Sequence, residues 1–186
     1  MELRDFLLQY QIKAAETIMP SCENIYCFFN LGAEISEVQK AHNNRVTNDD
    51  ELKKELGDVL WQLVMTAKYE HVILPSKIEV FKSNSVVIIL SNMKDCYLDC
   101  CGILAKGIRK LIIEIDNNQI VGTLNTDEDE WGALQLNFNA KINDLFQLFF
   151  NLLNNYGFDL QEIADLNIEK LAKRKLENTI INHGKD

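Results

Sequence analysis

The sequence predicts an all-α protein, a helical bundle of about five to seven helices. Three observations carry this. Two prolines and eight glycines in 186 residues leave few points at which a helix must break. Apolar residues recur at intervals of three and four along most of the chain. A composition of 47% hydrophobic and 25% charged residues is that of an ordinary globular domain with enough chain to bury a core.

The elements follow in order. Residues 3–19 carry Phe6, Leu7, Tyr10, Ala14 and Ile18 as one helical stripe, which Pro20 ends. A second helix over about 27–42 has Leu31, Ile35, Val38 and Ala41 on its apolar face. The polar stretch "NNRVTNDD" is a loop from which Asn48, Asp49 or Asp50 caps a third helix. That helix runs to about residue 72, with Leu52, Leu56, Val59, Leu60, Leu63, Val64 and Ala67 facing inward, and Pro75 closes this half. Residues 77–95 have β-branched content, but "CYLDCCGILAKGIRKLIIEI" continues them as helix. Residues 116–137 form a loop with a short strand pair around "QIVGTL"; the acidic run Asp127–Glu130 is solvated there and Trp131 anchors it. Helices resume over 138–156 and 159–178, with Gly157 as a C-cap between them.

This divides one all-α domain, 1–186, into a helical half (1–75), a second half (76–155) and a closing helix (156–186). A faint internal repeat relates the halves. Setting "LGAEISEVQK" beside "CGILAKGIRK" pairs Gly32 with Gly102 and Lys40 with Lys110. Setting "ELGDVLWQL" beside "KINDLFQLF" pairs Asp58 with Asp144, while Glu34, Glu37 and Glu55 face Leu104, Gly107 and Lys141. On this reading the second half is a degenerate copy that kept its helices and lost its acids, and the chain is a pseudo-dimer.

A net charge of −9 and a pI near 4.9 disfavour a nucleic-acid polymer as partner. They leave room for a single nucleotide whose phosphates are bridged to carboxylates by a cation. Cys22, Cys27, Cys96, Cys100 and Cys101 are odd in number and form no C-x-x-C pair, so they read as reduced thiols. His42, His71 and His183 have no metal-site spacing. The N-terminus "MELRDFLLQY" lacks a signal-peptide layout, and runs such as "SVVIIL" are too short to span a membrane. The expectation is a cytoplasmic protein without a membrane partner.

Two pairs of acids stand out. Glu34 and Glu37 lie three apart on the second helix, Glu55 and Asp58 three apart on the third. Residues so spaced share a face, and both pairs border the apolar stripes rather than oppose them. Packing four carboxylates between two helices is unfavourable unless a cation neutralises them. A hard divalent ion with oxygen ligands, of which one or two fit here, is the best answer. Single surface acids are usually solvated decoration, so the paired arrangement is what counts.

At these residues the sequence resembles the MazG-like family of all-α nucleoside triphosphate pyrophosphohydrolases. Glu34-x-x-Glu37, seventeen residues, then Glu55-x-x-Asp58 matches its signature, and "ELGDVLW" its second segment. "QYQIKAAETI", with Tyr10, Gln11, Ala14 and Thr17, resembles the family's first helix. "YGFDLQEIADLNIEKLAKRK" resembles its closing helix, with Asn167, Lys170 and Arg174 at i, i+3 and i+7. Residues 76–155 depart from the pattern, being much longer than the usual link between those helices.

The resemblance implies Mg²⁺-dependent cleavage between the α- and β-phosphates of a nucleotide, giving monophosphate and pyrophosphate. Glu34, Glu37, Glu55 and Asp58 then hold Mg²⁺, with Mn²⁺ as the alternative ion, and Glu34 or Glu37 orients the attacking water. Asn167, Lys170 and Arg174 grip substrate phosphates, although cations near a helix C-terminus are also favoured by its dipole. Trp61 is a base contact or, more simply, a core residue. Lys106, Arg109 and Lys110 would face the site from the second half if the repeat is real. The chain is expected to act as a homodimer or as a monomeric pseudo-dimer. Two other readings share the fold: an enzyme like the phosphoribosyl-ATP pyrophosphatase, and a non-catalytic helical binding module.

Overall fold

The computed structural model describes residues 2–18, 25–44, 49–79, 85–108, 111–116, 119–124 and 128–177. Pro20, Cys22, Asn48, Arg109, Lys110, Asp127 and His183 lie outside them. Among the described residues are six helices: α1 (Leu3–Ala15), α2 (Ile25–Asn43), α3 (Asp49–Tyr69), α4 (Val86–Ile108), α5 (Glu128–Tyr156) and α6 (Leu160–Leu176). A two-stranded hairpin, β1 (Leu111–Asp116) and β2 (Gln119–Leu124), separates α4 from α5. Among the described residues the fold is all-α with this one hairpin.

Two expectations need correction. The helix expected to continue through "LIIEI" stops at Ile108, and residues 111–116 pair antiparallel with 119–124, Ile113 opposite Gly122. Isoleucines alternate or adjoin along this segment, and β-branched side chains favour the extended backbone. The expected loop over 116–137 is also too long, because α5 begins at Glu128. From Glu128 on the acidic run is helix and not loop: Asp129 and Glu130 stay exposed in the first turn of α5, where carboxylates complement the positive end of the dipole. Trp131 packs instead against the last turn of α4, its ring 3.1 Å from where a Cβ on Gly107 would stand.

The predicted stripes are the core. Leu31, Ile35, Val38 and Ala41 of α2 bury against Leu52, Leu56, Val59, Leu60, Leu63 and Val64 of α3. These two helices form one hairpin; α4 and α5 form a second. The second lies on the first, α4 against α2 and α5 against α3. Tyr97 fixes the α2–α4 contact: its hydroxyl donates to the Phe29 carbonyl at 3.1 Å, and its ring fills the space beside Gly32 that any Cβ would invade. Gly157, at φ +71°, ends α5 with Phe158 N–H donating to Leu153 O and Gly157 N–H to Asn154 O, the paired bonds of a Schellman cap. Asp159 then caps α6 by accepting from Glu162 N–H at 3.0 Å, which turns the last helix back onto α3.

Candidate active site

The acids meet because α2 and α3 run antiparallel as neighbours. Glu34, Glu37 and Glu55 bring one carboxylate oxygen each to within 4.8 Å of one another. Burial, and then the charges of Asp58, Glu37 and Glu55, push the Glu34 carboxyl up to about 7, against the pull of Lys170. Burial, then Asp58 and Glu37, push Glu55 up to about 7 as well. Asn30 Nδ2 donates to Glu34 Oε1 at 2.6 Å and fixes that side chain. The donors are all oxygen, which suits a hard divalent cation and not a soft one.

Asp58 is placed differently. Its Oδ1 accepts from Asn167 Nδ2 at 2.8 Å, and its Oδ2 is ion-paired with Lys170. Asn167 is buried, and its Oδ1 accepts from the Tyr10 hydroxyl at 2.8 Å. Burial keeps that phenol protonated and therefore a donor. A relay thus runs from α1 through α6 to α3. Gly57 makes it possible: a Cβ there would stand 2.9 Å from Asn167 Cβ.

A cleft of about 490 Å³ opens over these groups. Glu34, Glu37, Lys54, Glu55, Asp58, Lys170 and Arg174 line its charged part. Asn167 does not line it, since both ends of its amide are spent on Tyr10 and Asp58. Trp61 is largely buried yet forms part of the wall, its Nε1 donating to Thr17 Oγ1 at 3.1 Å. Lys106 is exposed on α4 and lines no part of the cleft.

Several contributors were not singled out in the sequence. Asn30, one turn before Glu34, gave no signal. Gly57 did give one, because glycine inside a helix costs about 1 kcal/mol relative to alanine and needs a packing reason. Gln62 also did, as an amide within the buried run 59–67.

Residues 29–82 match the family model of the MazG nucleotide pyrophosphohydrolase domain. Over these residues the chain is similar to that domain. The matched span holds all of α3 and most of α2, with all four acids of the cleft, whereas α1 and α6 lie outside it. A MazG domain implies a nucleotide substrate, and the family is generally metal-dependent. No curated protein and no solved structure matches the chain. No helix among the described residues is long and apolar enough to cross a membrane.

Proposed function

We propose that the protein is a Mg²⁺-dependent nucleoside triphosphate pyrophosphohydrolase that cleaves between the α- and β-phosphates to give monophosphate and pyrophosphate. The observation that carries this is the oxygen cluster of Glu34, Glu37 and Glu55 in one cleft with Lys170 and Arg174. Carboxylates and cations lining one cleft, Lys54 among them, match a magnesium–polyphosphate, whose ion and phosphates have opposite needs.

Glu34, Glu37, Glu55 and Asp58 are the residues that would hold the ion. When bound, a divalent cation neutralises phosphate charge and acidifies water at neutral pH. The chain's own groups do the rest. Glu34, with one oxygen held by Asn30, orients the water that attacks the α-phosphorus, and Glu37 is its neighbour in that role. Lys170 and Arg174 bind the departing pyrophosphate. Asn167 and Tyr10 set the position of Asp58.

The packing of the α4–α5 hairpin onto α2–α3 supports reading 76–155 as a degenerate second half. The chain would then be a monomer in solution, which sedimentation velocity measures directly; a stable dimer counts against the pseudo-dimer.

The function is tested by product analysis on a panel of dNTPs and NTPs. Monophosphate and pyrophosphate in equal amounts, formed with Mg²⁺ and not with EDTA, are expected. Release of diphosphate and orthophosphate would overturn the assignment.

A further inference from the structure

One turn beyond Asp58 on α3, Gln62 lines the same cleft. Its residue is 4% exposed, and its Oε1 accepts no hydrogen bond. A buried amide oxygen without a donor is destabilising, and folded proteins rarely keep one. Thr66 Oγ1 is similarly without a partner but lies away from the cleft.

The surroundings of Gln62 differ from those of the acids. In the antiparallel α2–α3 pair, moving from Asp58 to Gln62 along α3 runs beside the path from Glu34 back to Tyr26 along α2. The cleft is lined there by Ile18, Tyr26 and Trp61 with the polar Thr17 and Asn30, and no carboxylate is among them. A ligand with phosphates at the acids and cations must therefore place its uncharged portion against these rings and this amide. Trp61 has its N–H committed to Thr17, so it offers a surface and no free donor.

We infer that Gln62 is a specificity-determining residue: its amide oxygen accepts a hydrogen bond from an N–H or O–H donor on the nucleoside portion of a bound nucleotide. This rests on the pyrophosphohydrolase reading for the identity of the phosphate end, and on the orphaned amide alone for the contact. The donor is a base N–H or a sugar hydroxyl, and the two are separated by the ligands used.

The test compares wild type with Gln62→Met, which keeps the length and removes the hydrogen bond. Thermal stability without ligand is read first. Removing an unsatisfied acceptor should leave Tm unchanged or raise it by about 2–4 °C. A lowered Tm would show that the amide is satisfied within the fold and would overturn the proposal. Binding is then measured by calorimetry with Mg²⁺, using α,β-methylene nucleotides that differ in base, and 2′-deoxy and 2′,3′-dideoxy sugars, beside inorganic tripolyphosphate. The preferred nucleotide should bind roughly ten- to hundredfold more weakly to Gln62→Met, with tripolyphosphate unaffected. The analogue that lacks the critical donor should bind both proteins alike.

Equal binding of every nucleotide by both proteins would overturn the proposal, and so would equal weakening of tripolyphosphate. If selectivity depends on Gln62 but no pyrophosphate is ever released, the proposal stands and the hydrolase reading falls. If pyrophosphate is released with no dependence on Gln62, the reverse holds.

Discussion

Replacing Gly57 with alanine sets two effects of opposite sign against each other. Alanine is the better helix former by about 1 kcal/mol, so an interior Gly→Ala change on an open helix face stabilises. At position 57 the new methyl would stand 2.9 Å from Asn167 Cβ, 3.3 Å from Asn167 Nδ2 and 3.4 Å from the Ile163 carbonyl. Carbon atoms pack at about 3.5–4.0 Å, and a Cβ cannot rotate away, so α6 must retreat by roughly 0.5–1 Å. That retreat stretches the 2.8 Å bond from Asn167 to Asp58 beyond useful length. Overpacking costs about 1–3 kcal/mol and weakening the buried amide bonds about 1 kcal/mol more, so the net expectation is a loss of about 1–3 kcal/mol. Urea denaturation measures it. Gly102→Ala is the matched control, because nothing lies within 4 Å of its Cβ position, and it should stabilise α4. A Gly57→Ala protein as stable as Gly102→Ala would refute the close packing of α6 on α3.

Other outcomes follow from the charges. Glu34 and Glu55 titrate near 7 in the folded protein, above the unfolded value of 4.5, so their contribution to stability is full below pH 4.5 and is lost as pH rises through about 7. In EDTA, Tm should therefore fall across that window and Glu55→Gln should flatten the slope; an unchanged slope in Glu55→Gln contradicts the assignment. Lys170→Met leaves Asp58 without its ion pair among like charges. Its loss of Tm should be larger in EDTA than in excess Mg²⁺, and equal losses would show that no cation substitutes for the lysine.

Much of this architecture was legible in the sequence. The stripes of α2 and α3 follow the helical period over whole turns, so nearly every residue placed inward is buried. The acids were legible for the same reason, since spacing of three on consecutive helices forces them together once the stripes pack. The boundaries of the second half were not. "LIIEID" is apolar enough for a helix, and only pairing with 119–124 makes it a strand, a partner that lies beyond the local window. The acidic run at 128–130 looked like a loop because its charges hid a helix start. Asn167 sits where its spacing from Lys170 predicts, yet it faces Tyr10 and Asp58. That orientation depends on how closely α6 approaches Gly57, which no single-helix pattern encodes.

The most direct test of the central claim is a calorimetric titration with Mg²⁺ at pH 8, using wild type, Glu37→Gln and Glu55→Gln. If the four acids form a cation site, wild type binds saturably and each variant binds at least about tenfold more weakly, as expected when one charged ligand is lost. Absence of saturable binding by folded wild type, or equal affinity in all three proteins, would contradict it.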